Sequence, residues 1–137
     1  MTQVTIDTTN VFHKAYKSST RITCLQGGTR SSKTYSLCQL FIVKALRETG
    51  KVFTICRKTL PALKGTAYRD VLELLKELGL YSEESHNKSE LSYTLNGNLI
   101  EFISVDQPQK IRGRKRNYLW LNEANEFTYE DYQQLIL

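Results

Sequence analysis

Apolar residues in this chain fall into short blocks, and the spacing inside each block predicts the element it forms. Arg21-Ile-Thr-Cys-Leu25 is brief, β-branched and stopped by Gln26-Gly27-Gly28, which predicts a buried strand. From Lys33 to Thr49 most positions are apolar and favour helix, with Gly50 as the stop. Lys51 to Cys56 reads as a second buried strand. After a connector holding Pro61 and Gly65, Thr66 is expected to cap a helix. Its Ala67, Val71, Leu74, Leu75 and Leu78 keep the 3.6-residue period up to Gly79. Leu91–Leu95 and Leu99–Val105 flank Asn96-Gly97-Asn98, a strong hairpin signal. Tyr118–Leu121 is a further buried strand, and Thr128 is placed to cap a last helix.

Strands that alternate with helices predict an α/β fold with a mostly parallel sheet, flanked by helices and carrying an inserted β-hairpin. The chain of 137 residues suffices for one compact domain, and no repeat or low-complexity tract divides it. Hydrophobic residues at 40% and charged residues at 24% exclude a disordered chain. No apolar run reaches the ~18–20 residues of a membrane helix, and the polar start Met1–Asn10 carries no secretion signal. Cys24, Cys38 and Cys56 are odd in number and lie in apolar stretches, so they read as reduced core thiols of a cytosolic protein. His13 and His86 have no ligand partners in sequence and read as surface residues. A net charge of +5 permits a polyanion partner, and Arg112, Arg114, Lys115 and Arg116 concentrate it in one stretch.

Candidate chemistry enters at Gly27-Gly28-Thr29-Arg30-Ser31-Ser32-Lys33-Thr34, between a predicted strand and a predicted helix. That context suits a phosphate-binding loop. The glycines allow a sharp turn that presents backbone N–H groups, and the helix start adds unpaired donors and its dipole. Lys33 is placed to reach the β- and γ-phosphates of ATP, and the Thr34 hydroxyl to ligate Mg²⁺. Ser32 stands where the usual pattern has glycine. The bland alternative is a glycine turn before an unrelated helix.

A second motif follows the strand Tyr118-Leu-Trp-Leu121, where Asn122-Glu123 stands at the strand's carboxyl end. Ligand sites of open α/β sheets lie at that edge. Glu123 is expected to orient and polarise the attacking water, and the Asn122 carbonyl to hold a magnesium-bound water. Read alone, the same residues are an acidic cap after a buried strand.

Gln26–Thr34, Arg57-Lys58-Thr59, Lys110–Arg114 and Tyr118–Phe127, taken in that order, resemble the ATPase domain of tailed-phage terminase large subunits. Trp120-Leu-Asn-Glu-Ala-Asn-Glu126 is the most specific part of the likeness. The resemblance implies a P-loop NTPase of the additional-strand, catalytic-glutamate type: a motor that hydrolyses ATP to drive double-stranded DNA into a procapsid. It further implies a homo-oligomeric ring, a portal protein and a small terminase subunit as partners, the host cell cytoplasm as the setting, and no membrane. Residues 1–137 are then expected to be an incomplete N-terminal ATPase domain without the family's nuclease.

Three readings stand for Arg112 and Arg114: a solvated loop, contacts to DNA phosphates, or an arginine finger acting on a neighbouring subunit's ATP. Arg30 lies inside the loop and is placed to act in cis. Gln26, with Phe12 and Tyr16, is a candidate for the adenine, although core packing suits the two aromatics better. Two other functions compete: a different P-loop DNA motor such as a helicase, and a non-catalytic nucleic-acid-binding module.

Overall fold

The computed structural model describes residues 33–111 and 115–136. The predicted strand Arg21–Leu25, the loop from Gln26 to Ser32, and Phe12, His13, Tyr16, Cys24, Arg112 and Arg114 lie outside the described residues. The first described helix, α1 (Lys33–Arg47), buries Cys38, Leu40, Phe41, Ile42 and Ala45 and places Lys44 and Arg47 in its last turn, where cations suit the dipole. Strand β1 (Val52–Arg57) follows. A continuous helical run then comprises α2 (Leu60–Leu63), a π-helical segment (Lys64–Tyr68) and α3 (Arg69–Glu77). Next come β2 (His86–Asn87), β3 (Ser92–Leu95), β4 (Asn98–Ser104), β5 (Tyr118–Leu121) and α4 (Tyr129–Ile136).

The sheet order is β2-β3-β4-β1-β5. Strands β4 and β5 both run parallel to β1, whereas β2–β3 and β3–β4 are antiparallel. The described sheet is therefore mixed rather than mostly parallel. Its parallel centre is β4-β1-β5, with the helical run Leu60–Glu77 between β1 and β4 in the chain, and the hairpin, extended by the unforeseen two-residue β2, supplies the rest. On one face Phe53, Ile55, Ile100, Phe102 and Trp120 pack with Phe41, Leu63, Val71 and Leu75 of the helices. On the other, Cys56 and Ile103 pack with Ile111 and Leu135. Helices thus cover both faces.

The hairpin turn forms as its sequence requires: Asn96 and Gly97 both take positive φ (53° and 77°), and Leu95 pairs with Asn98. Glycine at 97 also admits close approach, since a Cβ there would stand 2.5 Å from Thr49 Oγ1. The turn has a second task. Asn98 Nδ2 donates to the carbonyls of Ala45 (2.7 Å) and Glu48 (2.8 Å), and its Oδ1 accepts from Lys51 N (3.0 Å). Asn96 Nδ2 donates to Ala45, Leu46 and Glu48 carbonyls as well. The orphan carbonyls at the end of α1 are so satisfied by side chains from another element. Asn98→Ala is expected to destabilise the fold by about 1–3 kcal/mol, because it removes buried hydrogen bonds to the Ala45 and Glu48 carbonyls and leaves Lys51 N without its Oδ1 acceptor. Urea unfolding checks this, and an unchanged midpoint would contradict the latch.

Thr66 is not a cap. The helix begins earlier, after the extended residue Thr59, with Pro61 in its first turn. Proline is tolerated there because the first N–H groups have no helical partner. Asp106 Oδ2 accepts from Leu60 N (3.1 Å), satisfying another of those groups. Thr66 Oγ1 instead donates back to the Ala62 carbonyl (2.6 Å), a bond that loosens helices locally. His86 is also not a bland surface residue. Half-buried, it meets the hydroxyls of Tyr68 (2.5 Å) and Tyr81 (2.8 Å), and burial lowers its pKa.

Candidate functional site

The carboxyl ends of β1 and β5 lie side by side, with Cys56 opposite Leu121. Asn122 N still donates to Cys56 O (2.8 Å), and the chain then turns abruptly. Glu123 has φ 57° and ψ 62°, a left-handed backbone costly for any residue with a Cβ. Ala124–Glu126 form a 3₁₀ turn closed by Glu126 N onto Glu123 O (2.9 Å). Asn122 is buried and Glu123 half-buried, so the turn holds the carboxylate at the sheet's rim.

Helix α1 approaches the same rim. Its carboxyl end is latched to the amino ends of β1 and β4 through Lys51 and Asn98. Midway, the Phe41 ring meets Phe53 (5.4 Å between centroids) and Trp120 (5.9 Å). The eight residues from Lys33 to Leu40 then rise about 12 Å toward the carboxyl ends of the strands. Lys33 and Thr34, both half-buried, form the first turn of α1. Gln26, Gly27, Gly28, Thr29, Arg30, Ser31 and Ser32, together with Arg112 and Arg114, lie outside the described residues.

Between these parts stands a network that periodicity does not reveal. Arg57, at the end of β1, directs Nε and Nη2 to the two carboxylate oxygens of Glu126 (3.1 and 3.4 Å) and Nη1 to Thr66 Oγ1 (2.9 Å). Since the Thr66 hydroxyl hydrogen goes to Ala62 O, its 3.5 Å approach to Asn122 Oδ1 is only a weak contact. The Asn122 carbonyl can therefore accept from a water. Lys58 Nζ pairs with Asp131 Oδ2 (2.5 Å). Asp131 also closes a reciprocal cap with Thr128 at the start of α4. Burial raises the Asp131 pKa, but the Lys58 and Thr128 hydrogen bonds outweigh it and hold the carboxyl below its ordinary 3.8. The signal for this network was the cationic Arg57-Lys58 at a strand's carboxyl end, with acids at 126 and 131.

Other candidates are quiet. Cys38 and Cys56 are buried free thiols; burial pushes Cys56 up to about 12 and Cys38 higher still, so neither is a nucleophile. Among the described residues no cluster of three or more His, Cys, Asp or Glu can hold a metal. No helix among them is long and apolar enough to cross a membrane.

The structure so defines an α/β protein whose parallel strands β1 and β5 lie side by side, with a tight acidic turn directly after β5. A family model described as phage terminase large subunit matches residues 19–137. The chain belongs to the phage terminase large subunit family. No curated protein matches it.

Proposed function

We propose that this chain is the ATP-binding and ATP-hydrolysing part of a viral DNA-packaging motor. The observation that carries the reading is Glu123, a non-glycine residue in left-handed backbone just past a parallel strand. Strained residues of this kind cluster where a side chain must be aimed. In this reading Lys33 and Thr34, the described end of the sequence motif Gly27–Thr34, face the same edge. The family match over residues 19–137 takes in both motifs.

In this reading ATP is the substrate. Backbone N–H groups of the loop from Gly27 to Ser32 and the start of α1 receive its phosphates, and Lys33 offsets the charge of the β- and γ-phosphoryl groups. Gln26 contacts the adenine. Thr34, and Asn122 through water, are the side chains that would hold Mg²⁺. The sparse protein donor set fits an ion that keeps several waters and is held mainly by substrate phosphates. When bound, the ion neutralises phosphoryl charge. Glu123 accepts the proton of the attacking water and orients it; Asn122, an amide, cannot. Double-stranded DNA, a portal protein, a small terminase subunit and further copies of the chain in a ring are the partners this function requires, in the host cell cytoplasm.

Lys33→Ala tests the reading. Titration calorimetry with Mg–ATP is expected to show binding for the parent protein and none for the variant. Equal affinities would overturn the assignment of the loop.

A further inference from the structure

Arg57-Lys58 is a conspicuous cationic pair, and the parts assigned to ATP do not use it. A cation that meets a polyanion must present its donors to solvent. Arg57 does not: its side chain is 15% exposed, and three of its nitrogens are engaged by Glu126 and Thr66. Lys58 is spent on Asp131. Both pairs grip the segment that follows Glu123, one on the 3₁₀ turn and one on the first turn of α4.

We infer that Arg57 is the positioning residue of Glu123, and that it ties the Glu123 turn to the π-helical segment Lys64–Tyr68. The inference rests on the reading of Glu123 as the water-activating carboxylate. A left-handed glutamate persists only when its surroundings over-determine it. On its amino side the constraint is the Asn122 N to Cys56 O bond. On its carboxyl side the turn is short; Phe127 packs against Cys56 and Ile103, and the polar anchor is the two-pronged pairing of Glu126 with Arg57. The planar guanidinium suits that task, because its fork fixes both direction and distance of the carboxylate, which an ammonium does not. The remaining prong reaches Thr66, whose hydroxyl stands 3.5 Å from Asn122 Oδ1. One side chain therefore touches both the turn that carries Glu123 and a π-helical segment, a helix irregularity often found at functional sites. Glu126 is accordingly an anchor and does not act on water.

The test uses the full-length protein and four variants: Arg57→Lys, Arg57→Ala, Glu126→Gln and the exchange Arg57→Glu/Glu126→Arg. Steady-state ATP hydrolysis, Mg–ATP affinity and DNA affinity are measured for each. Misaiming the carboxylate by an ångström is expected to lower kcat about 10–100-fold, with KM for ATP and DNA affinity within about twofold of the parent. The exchange variant is expected to recover part of the loss. Arg57→Lys keeps the charge and the fold, so it reports even where Arg57→Ala fails to fold. Parent-like kcat in Arg57→Lys overturns the inference, as does a loss confined to DNA affinity. A defect in Glu126→Gln without one in Arg57→Lys also overturns it, by making Glu126 the acting group. Glu123→Gln is run in parallel. If that variant hydrolyses ATP normally, the reading of Glu123 fails; if it is dead while the Arg57 variants are normal, only the positioning role fails.

Discussion

Glu123→Gln is expected to bind Mg–ATP as the parent does and to hydrolyse it about 10²–10⁴-fold more slowly. The substitution keeps the length, shape and left-handed backbone of the residue but removes the oxygen that takes a proton from water. Asn122→Ala is expected to cost less, since its amide never takes that proton. A second substitution at the same position separates strain from chemistry. Glu123→Gly accepts φ 57° without a Cβ, so it is expected to stabilise the fold by about 1 kcal/mol while being as inactive as the glutamine variant. Greater stability with lost activity would mark Glu123 as a residue held in place against its backbone preference. If Glu123→Gln turned over ATP normally while Glu126→Gln did not, the acting carboxylate would be the next acid along the turn, and Arg57 would be its direct partner.

What the sequence made legible is local. Asn96-Gly97 states its turn in two residues, and the structure gives both the positive φ values that pair predicts. The mainly apolar runs Val52–Cys56 and Tyr118–Leu121 form the two parallel strands; the first is buried as expected, whereas of the second only Trp120 is buried and its neighbours are half-buried. Thr128 caps the last helix because its partner, Asp131, is three residues away. Where competing local signals meet, the reading slipped. Pro61 resembles a breaker, yet in a first turn it is an initiator, which is why the helix starts at Leu60 and Thr66 lies inside it. His86 looked solitary because its tyrosines sit 18 residues before it and 5 before it, joined only by the fold. The Arg57–Glu126 pair spans 69 residues of sequence, and no periodicity encodes such a separation. The backbone at Glu123 was equally hidden, because nothing about glutamate announces positive φ. The acidic strand end was legible as chemistry, whereas its strain and its anchor emerge only when β1 and β5 lie side by side.

The second large effect is expected at Arg112 and Arg114. The described residues on either side of them are anchored: Ile111 is buried among Cys56, Ile103 and Leu135, and Arg116 donates to the Ile111 carbonyl. Beyond it, Asn117 exchanges hydrogen bonds with Val52, through N to O (3.0 Å) and through Oδ1 from N (2.8 Å). Substituting either arginine therefore leaves both anchors intact and is expected to leave the fold intact. Arginine's always-charged fork suits the spread charge of a phosphoryl group in transfer, and supplied from a neighbouring subunit it is worth about 10³–10⁵ in rate. An Arg112→Ala or Arg114→Ala subunit keeps its own phosphate loop, while a Lys33→Ala subunit keeps its arginines. The true finger variant and the Lys33→Ala subunit are each expected to be inactive alone, whereas the other arginine variant stays active. Mixed in the full-length protein, the pair containing the true finger variant is expected to recover activity, because the intact loop of one subunit meets the intact arginine of the next. Recovery with one arginine variant and not the other identifies the finger. If neither mixture recovers and DNA affinity falls instead, more steeply at low salt, the stretch contacts DNA phosphates. Normal hydrolysis together with normal DNA binding in both single variants would make it a solvated loop.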